Sequence, residues 1–460
     1  MKLRFLLFIP FLLPLAVFGQ AGKDSASATP IKLSLKQAQE FALTNNLSVK
    51  NAMLDLETAR KKVWETTAIG LPQANFNGNY QNIFKVPQFS FGGGVDYRLL
   101  PSGVPLTKED FDNAYVMGQP VSLGVKENVT WDITVSQLIF SGEYIVGLQA
   151  SRIFKEFSEQ ALTKTEMDTR ESVSESYYLV LVAEENLGIL RSNMSLLEKT
   201  LTEMEVTYKQ GFIQETDVDQ IRINKVNLQN MITTLDEQTR LAYRLLKFQM
   251  GLPLEQEVEL TENLQSLIQT GNFKVWSEGN FEVQNNIDFK LMQTQENLNS
   301  LSLKREKSKF LPSVSAVYRH QELLNKPTFN FNFPNLVSVG LSFPLFSSGM
   351  RISRVQQARI ALEKSSNSKD QVMQALIIDY EQSKSNYNKA LNDYLSLKET
   401  VSLADKIYQK TLIKFKEGMA TSMELTQAQA QFLANESNYF LSILNLFNAQ
   451  SKLEKLLETE

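Results

Sequence analysis

The 460-residue chain contains no cysteine and a single histidine, His320. Disulfides and thiolate metal sites are therefore excluded, as are triads and metal sites that need several imidazoles. The formal net charge is only −4, so no basic surface indicates a nucleic-acid partner. No nucleophile motif, phosphate-binding loop or metal constellation indicates an enzyme or a cofactor.

Long apolar runs are also missing, apart from one at the N-terminus. Lys2 and Arg4 precede an apolar stretch from Phe5 to Phe18, and Gly19 is a suitable small residue before a cleavage site. We therefore expect residues 1–19 to be a signal peptide and 20–30 to be a linker. A membrane anchor is the alternative, but about 14 apolar residues are short for a membrane span.

Proline and glycine are absent from long stretches of the chain, which predicts unusually long helices. Residues 350–417 contain neither, and at about 1.5 Å per residue this stretch would reach roughly 100 Å. Apolar residues recur in it every seven positions: Met373, Tyr380, Tyr387, Tyr394, Val401, Tyr408 and Phe415. Such a heptad indicates a supercoiled partner helix.

The sequence contains an internal repeat. Asn45-Asn46-Leu47 returns as Asn285-Asn286-Ile287, at an offset of 240 residues. The turn sequence YKQG at 208–211 returns as FKEG at 415–418, at an offset of 207, so the first copy is about 33 residues longer. We expect a first repeat at 31–250, a connecting segment at 251–284 and a second repeat at 285–460. Each repeat is predicted as helix, strand, loop, strand, long helix, turn and long helix.

Strict alternation of polar and apolar residues predicts two strands in each repeat. In LPQANFNGNYQ (71–81), Ala74, Phe76 and Tyr80 lie on one face. The opposite face carries Asn75, Asn77, Asn79 and Gln81. The four strands are expected at about 73–83, 128–138, 313–320 and 336–345, with loops at 84–126 and 321–335. About ten residues is the length of a tilted strand that crosses a bilayer.

Four strands are too few to close a barrel, for which about eight is the working minimum. Several chains would therefore have to share one barrel if these strands lie in lipid. The apolar row would then face lipid, and the Asn and Gln row would face a wet lumen. Three copies give twelve strands, although these arguments alone do not fix the number. An exported helical scaffold with a soluble sandwich is the alternative from a different class.

Four segments together resemble the TolC family of outer-membrane efflux and secretion channels: LSLKQAQEFALTNN (33–46), LPQANFNGNY (71–80), FSG (140–142) and the YKQG and FKEG turns. The similarity covers about residues 31–457. It implies an α+β membrane protein that forms a homotrimer, with a twelve-stranded β-barrel in outer-membrane lipid on a twelve-helix α-barrel in the periplasm.

The same resemblance implies a passive exit duct of a tripartite efflux or type I secretion system, not an enzyme. A periplasmic adaptor and an inner-membrane transporter would be its partners, and contact with them would open it. The loops 84–126 and 321–335 would be extracellular, and the segment 251–284 would be equatorial. The sequence does not indicate the exported substrate.

The resemblance also implies a constriction at the periplasmic tip, after the turn that begins at Phe415. Glu424 occupies the family's first acidic position, where three copies would form a carboxylate ring that favours cations. Gln427 replaces the second acidic residue, and Ala420 replaces an expected basic one. A solvated helix face is the alternative for Glu424. In the first copy Asp217 is its equivalent, with capping of the turn as the alternative role.

Adaptor contacts are expected at the two tip turns, 208–216 and 415–422. The residues that we assign to this contact are Tyr208, Gly211, Gly418, Ala420, Thr421 and Ser422. The alternative is a tight turn with glycine in the left-handed conformation and no further role. His320 is expected to be a plain surface histidine at a strand end. Trp131 is a candidate for an interfacial aromatic girdle.

Overall fold

The computed structural model describes residues 30–457, except 91, 119, 123, 272, 277–280 and 327–331. The predicted signal peptide and nearly all of the predicted linker lie outside this part of the chain. Within it, each half of the chain contains helices, then two strands of the main sheet, then two long helices.

The first repeat begins with a short strand and two helices and ends with two long helices. Its elements are β1 (Ile31–Leu33), α1 (Leu35–Asn45), α2 (Leu47–Ile69), β2 (Gln73–Asn82), β3 (Gln88–Ser90), β4 (Gly93–Val95), α3 (Lys108–Asn113), β5 (Tyr115–Met117), β6 (Pro120–Ser122), β7 (Glu127–Ser141), α4 (Gly142–Lys209) and α5 (Glu215–Met250). Ser34 caps α1 and Asn46 caps α2, because each side chain accepts backbone N–H bonds from the first turn of its helix.

The connecting segment and the second repeat follow the same plan. Their elements are β8 (Val258–Leu260), α6 (Leu264–Thr270), a 3₁₀ turn (Val283–Asn285), α7 (Ile287–Ser308), β9 (Ser313–Leu323), β10 (Asn335–Ser342), α8 (Met350–Lys416) and α9 (Ser422–Leu457). The predicted long helices are confirmed: α4 has 68 residues and α8 has 67. None of the helices in the described part of the chain is long and apolar enough to cross a membrane.

The four predicted strands form one antiparallel sheet in the order β10-β9-β7-β2. Their bounds differ from the prediction mainly in β7, which has 15 residues, and in β9, which continues to Leu323. The added length of β7 contains an irregularity between Leu138 and Phe140, where the register with β9 shifts by one residue. Such a bulge bends a strand, and here it lies where the sheet meets the helices.

The predicted loop at 84–126 contains more structure than its glycine and proline content indicates. β3 pairs with β6 and β4 pairs with β5, both antiparallel. These pairs follow one another above the β2–β7 pair, so the insertion forms a long hairpin. Hydrogen bonding between strands, which composition does not show, accounts for the difference.

The helices next to the sheet lie side by side, with α2 against α4, α4 against α7 and α7 against α8. Farther from the sheet, α4 packs along α5, and α8 packs along α9. The predicted heptad faces these contacts, because Tyr380, Tyr387, Tyr394 and Tyr408 are all buried. Tyr408 stacks on Phe432 of α9, with ring centroids 5.6 Å apart and the planes 6° from parallel. The heptad is therefore the seam of an antiparallel helix pair.

The connecting segment is held tightly to the rest of the chain. β8 pairs in parallel with β1, so this segment is joined to the start of the first repeat. Three aromatic residues then contact three successive tyrosines of α8: Phe273 on Tyr394, Trp276 on Tyr387 and Phe281 on Tyr380. The backbone of Trp276 also donates to Asn388 Oδ1 at 2.8 Å and accepts from Asn388 Nδ2 at 3.1 Å. We call Phe273, Trp276 and Phe281 together the aromatic strap.

We predict that Tyr408→Ala destabilises each chain by about 3–5 kcal/mol, because it removes a buried aromatic ring from a packed helix seam. The measurement is the midpoint of thermal loss of helical circular dichroism in detergent. Lys410→Ala, at an exposed position two residues later, is the control and should change stability by less than about 0.5 kcal/mol. Equal midpoints for Tyr408→Ala and the unmodified chain would contradict the assigned packing.

Candidate functional site: the helical tip and the sheet faces

Both tip turns have the same backbone geometry. Gly211 has φ 81° and Gly418 has φ 73°, in the left-handed region that favours glycine. After Gly211, the N–H of Phe212 bonds to Thr207 O at 3.2 Å, and after Gly418, the N–H of Met419 bonds to Lys414 O at 2.8 Å. These six-to-one bonds close the ends of α4 and α8 as in a Schellman motif. The predicted tight turn with a left-handed glycine is therefore present at both sites.

The two acidic residues at the tip occupy the same place in their helices. Glu424 Oε2 accepts from Thr421 N at 2.7 Å and from Thr421 Oγ1 at 3.1 Å, while Glu424 N donates back to Thr421 Oγ1 at 3.2 Å. This is a capping box at the start of α9. Asp217 Oδ2 accepts from Gln214 N at 3.2 Å at the start of α5. The predicted alternative for Asp217, that it caps its turn, is therefore confirmed.

The capping contacts also set the charge of Glu424. Its bonds from the backbone and the side chain of Thr421 lower the pKa of its carboxyl below the usual value, so it is ionised at neutral pH. Glu424 is exposed, and only its Oε2 atom takes part in the cap. One carboxylate oxygen is left to face the surroundings of the tip.

The two turns are tied to each other by side chains. Ser422 Oγ donates to Asp217 Oδ1 at 2.6 Å, and Asn224 Nδ2 donates to Thr426 Oγ1 at 2.9 Å. Both bonds join α5 to α9, so the structure brings Asp217, Ser422 and Glu424 together at one end of the molecule. Asp217 thus holds two elements at once, whereas Glu424 caps only its own helix.

The other predicted tip residues divide into exposed and packed ones. Tyr208, Thr421 and Gln427 are exposed, and Ala420 is half-buried. Phe415 is half-buried and packs against the apolar cluster that joins α4, α5, α8 and α9 near the tip. Sequence reasoning missed three large apolar side chains at the tip that are strongly exposed: Phe212, Met419 and Met423. Their proximity to the two glycine turns was the available signal.

The sheet has one polar and one apolar face, as the alternation predicts. Asn75, Asn77, Asn79 and Gln81 stand opposite Thr134, Asp132, Thr130 and Asn128. Asp132 Oδ2 accepts from Asn77 Nδ2 at 3.1 Å and from Thr134 Oγ1 at 2.9 Å. The polar row therefore presents exposed amide groups, with Asn77, Asp132 and Thr134 hydrogen-bonded to one another at its centre.

The apolar face carries the aromatic residues. Phe76 stands opposite Ile133 and stacks on Trp131 with ring centroids 6.3 Å apart. His320 belongs to this face too, because its ring lies 5.5 Å from that of Trp131, and its Nδ1 lies 2.9 Å from Asn335 Oδ1. His320 is thus part of an aromatic group, where we expected a plain surface residue at the end of a strand. Because β9 runs on to Leu323, the residue also lies within the strand.

Sequence reasoning also missed a buried carboxyl group in the helix seam. Glu436 of α9 is only 5% exposed, and its Oε2 atom has no hydrogen-bond partner among the described residues. Burial, with a further contribution from nearby Asp405, raises the pKa of Glu436 to about 7. Its position between Phe432 and Phe440 was the signal in the sequence, since both neighbours face the core. Within the described residues, no group of three or more metal-ligating side chains is present.

Comparison with known proteins supports one interpretation of these features. Residues 282–459 match the model of a family described as outer membrane efflux protein. None of the curated proteins matches the chain. Among solved structures, CusC superposes with a TM-score of 0.72 at 14% identity, covering 95% of this chain and 96% of CusC. CusC is a protein whose folding and transmembrane channel formation are accompanied by conformational changes.

Two further solved structures agree with this. The outer-membrane channel OprN superposes with a TM-score of 0.72 at 16% identity, covering 93% of this chain and 90% of OprN. The outer membrane protein VceC of Vibrio cholerae gives a TM-score of 0.69 at 14% identity, covering 92% of this chain and 96% of VceC.

The chain has the fold of a TolC-like outer-membrane efflux channel. The predicted resemblance is thus confirmed. The family model matches the second predicted repeat of the chain. This channel fold is that of transport proteins and not of enzymes.

We predict that the stability of the folded protein falls as the pH rises from about 4.5 to 7. In this range the folded chain binds more protons than the unfolded one, because the folded pKa of Glu436 is about 7 and the ordinary value is 4.5. The stability that neutral Glu436 contributes is fully present below about pH 4.5 and is lost as the pH rises through 7. At 1.36 kcal/mol per pKa unit, the loss is at most about 3 kcal/mol.

Glu436→Gln should remove this dependence, because the amide has nearly the same shape and does not titrate. The measurement is the thermal midpoint from pH 5 to pH 8 for both proteins. Glu399→Gln, an exposed position on α8, serves as the control and should keep the slope of the unmodified chain. Parallel curves for Glu436→Gln and the unmodified chain would show that Glu436 does not cause the slope.

Proposed function

We propose that three copies of this chain form an exit duct that crosses the outer membrane and extends into the periplasm. The duct is passive, and a periplasmic adaptor with an inner-membrane pump delivers the cargo to its helical tip. The single observation that carries the proposal is the four-stranded sheet, polar on one face and apolar on the other, with an open edge on each side.

The open edges support assembly into a ring. β2 and β10 are the outer strands, and no other described strand pairs with their free sides. Because each neighbouring pair in the sheet is antiparallel, β2 of one copy meets β10 of the next copy as an antiparallel pair. Such a head-to-tail contact closes into a ring when the rotation fits. Three copies would give twelve strands with no free backbone edge in lipid.

The two faces of the sheet support a position in a membrane. The apolar face, with Phe76, Trp131 and Ile133, is suited to lipid. The polar face, with Asn77 and Asp132, is suited to a water-filled lumen. The reverse arrangement would place Asp132 and Arg319 in hydrocarbon, which is costly, whereas Glu127 and Glu322 on the apolar face lie near the ends of β7 and β9.

The tip supports the adaptor contact and a charged constriction. Phe212, Met419 and Met423 expose apolar surface at the turns, which an adaptor would cover. Glu424 is ionised and has one free oxygen, so three copies would place three carboxylates near the channel axis. A ring of negative charge attracts cations. The proposal assigns selectivity at the closed tip to this ring.

The decisive experiment is single-channel conductance in a planar bilayer, with the detergent-purified protein lacking residues 1–19. We expect discrete openings that prefer cations, and Glu424→Gln should reduce this preference several-fold because the ring loses its charge. Native mass spectrometry of the same sample should give a trimer.

Glu399→Gln removes the same charge from α8, 25 residues before Glu424, and is the matched control. It should conduct like the unmodified protein. Unchanged selectivity in Glu424→Gln would take Glu424 out of the constriction and leave the duct intact. A folded monomer that never conducts would overturn the duct itself.

Fractionation of Gram-negative cells that express the full sequence provides a second test. We expect the protein in the outer-membrane fraction, because the apolar face of its sheet requires lipid. Recovery in the soluble periplasmic fraction, together with a known periplasmic marker, would instead favour the exported scaffold.

A further inference from the structure

The two open edges of the sheet present complementary sets of backbone groups. In an antiparallel sheet, alternate residues of a strand bond to the neighbours on its two sides. Gln321 N donates to Pro334 O at 2.8 Å, so the even-numbered residues of β10 bond to β9 and the odd-numbered ones point to the open edge. Ile83 N donates to Lys126 O at 2.7 Å, so the odd-numbered residues of β2 bond to β7 and the even-numbered ones point to the open edge. Hydrogen bonds between copies must therefore join odd-numbered residues of β10 to even-numbered residues of β2.

The faces of the sheet impose the same rule. Val337, Val339 and Leu341 of β10 lie on the apolar face, as do Phe76 and Tyr80 of β2. Only a pairing of odd-numbered with even-numbered residues continues the apolar face from one copy to the next. Backbone direction and side-chain alternation thus independently leave a set of registers that differ by steps of two residues.

The registers within one copy show how far the next copy can be displaced. Phe76 lies opposite Ile133, Ile133 opposite His320, and His320 opposite Asn335. In a closed barrel, this line of opposite residues reaches β2 of the next copy at a residue shifted from Phe76, and three such shifts add up to the shear of the barrel. With no shift, or with a shift toward the start of β2, half of β10 or more would lie beyond the end of β2.

Strand tilt then selects between the remaining shifts. At about 3.3 Å per residue and about 4.8 Å between strands, shifts of two, four, six and eight residues in a twelve-stranded barrel give tilts of about 19°, 35°, 46° and 54°. Strands of barrels are typically tilted by about 35–45°. Only the shifts of four and six residues agree with this range, and both pair all eight residues of β10 with β2.

The side chains at the two edges favour the shift of six residues. It places Val337 opposite Tyr80 and Leu341 opposite Phe76, so both aromatic rings of β2 lie against an aliphatic side chain. The shift of four residues would instead place Tyr80 opposite Asn335. Aromatic and aliphatic side chains that face each other across strands stabilise a sheet, and the shift of six gives two such pairs at these rings.

The helices support a second copy of the chain as the partner at these edges. α2 and α8 are the two ends of the row of helices next to the sheet, as β2 and β10 are the two ends of the sheet. Leu54 and Trp64 of α2 and Ile352 and Ile360 of α8 are each more than half exposed. Contact between copies at the sheet edges would also bring these two apolar helices together and cover them.

We propose that β10 of each copy pairs with β2 of the next copy in a single register, with Ser338 opposite Asn79 and Leu341 opposite Phe76. This rests on the proposed function, because only a ring of copies brings these edges together. Residues 335–342 then pair with residues 75–82. The barrel has a diameter of about 26 Å between backbones, against about 22 Å for the shift of four, so this register sets the width of the lumen.

The absence of cysteine from the chain makes a direct test possible. In the proposed register, Ser338 and Asn79 lie opposite each other on the polar face without bonds between their backbones, and such pairs have Cα atoms about 4.5 Å apart. Gly340 and Asn77 form the next pair of the same kind. A Cβ atom at Gly340 would have only Ser315 Oγ within 4 Å, at 3.8 Å, so a side chain fits there.

Four substitutions give two predicted pairs and two matched controls. After mild oxidation, Ser338→Cys/Asn79→Cys and Gly340→Cys/Asn77→Cys should each form disulfides that link the copies into a covalent trimer. The crossed variants Ser338→Cys/Asn77→Cys and Gly340→Cys/Asn79→Cys carry the same thiols, displaced by two residues. Their Cα atoms would be about 7–8 Å apart, whereas a disulfide requires less than about 7 Å, so we expect several-fold lower yields.

The measurement is denaturing electrophoresis without reductant. Within one copy the two edges are three strand spacings apart, about 14 Å, so any disulfide must join different copies. The thermal midpoint of each variant under reducing conditions shows that it is folded, and native mass spectrometry shows that it is trimeric.

The outcomes separate the register from the duct. The highest yield from Ser338→Cys/Asn77→Cys would indicate the shift of four, and the highest yield from Gly340→Cys/Asn79→Cys the shift of eight, and either overturns the proposed register. Equal yields from all four variants also overturn it, because they show an edge without a fixed register. A conducting trimer that gives no covalent product in any variant overturns the register and leaves the duct, whereas a chain that stays monomeric overturns the duct first.

Discussion

The open edges of a four-stranded sheet are the constraint on which the rest of this structure depends. A backbone N–H or C=O group without a partner costs several kcal/mol in hydrocarbon, so neither edge can be left free there. β2 and β10 can satisfy each other only between copies, because they lie at opposite ends of the same sheet. In the proposed duct, the oligomer therefore follows from the strand count, and the lumen follows from the oligomer.

The lateral arrangement of the helices matches that of the strands. Four of them lie side by side next to the four strands, so in the proposed ring each sheet would stand on its own row of helices. Farther down, each long helix acquires a partner from its own repeat, and the tyrosine seam of α8 is buried against α9. Bonds such as Ser422 to Asp217 then join the two helix pairs at the tip.

Much of this architecture could be predicted from the sequence, because it depends on periodicity. Alternation at Asn75 and Phe76, and the heptad through Tyr387 and Tyr408, each follow a fixed geometric period. The strand pairing within the predicted loop at 84–126 could not be predicted, because it joins residues such as Phe89 and Val121 through backbone bonds that composition does not show.

At the tip, the repeat offset was sufficient to match Asp217 with Glu424. Their different partners depend on side-chain distances across two helices, which the sequence does not contain. The buried position of Glu436 also escaped notice, because a single glutamate in a helix is ordinarily solvated. Its burial arises from the helices that pack around α9.

The aromatic strap has a consequence for the alignment of α8. Its tyrosines recur every seven residues, so sliding the helix by one heptad, about 10 Å, would present the strap with nearly the same row of rings. Aromatic stacking alone therefore does not determine which heptad of α8 faces the strap. Asn388 distinguishes the registers, because its amide hydrogen-bonds to both the N–H and the C=O of Trp276. A shift of one heptad would lose both bonds, since no asparagine of α8 lies seven residues from Asn388. The two bonds of Asn388 thus favour one register of this 67-residue helix against the strap.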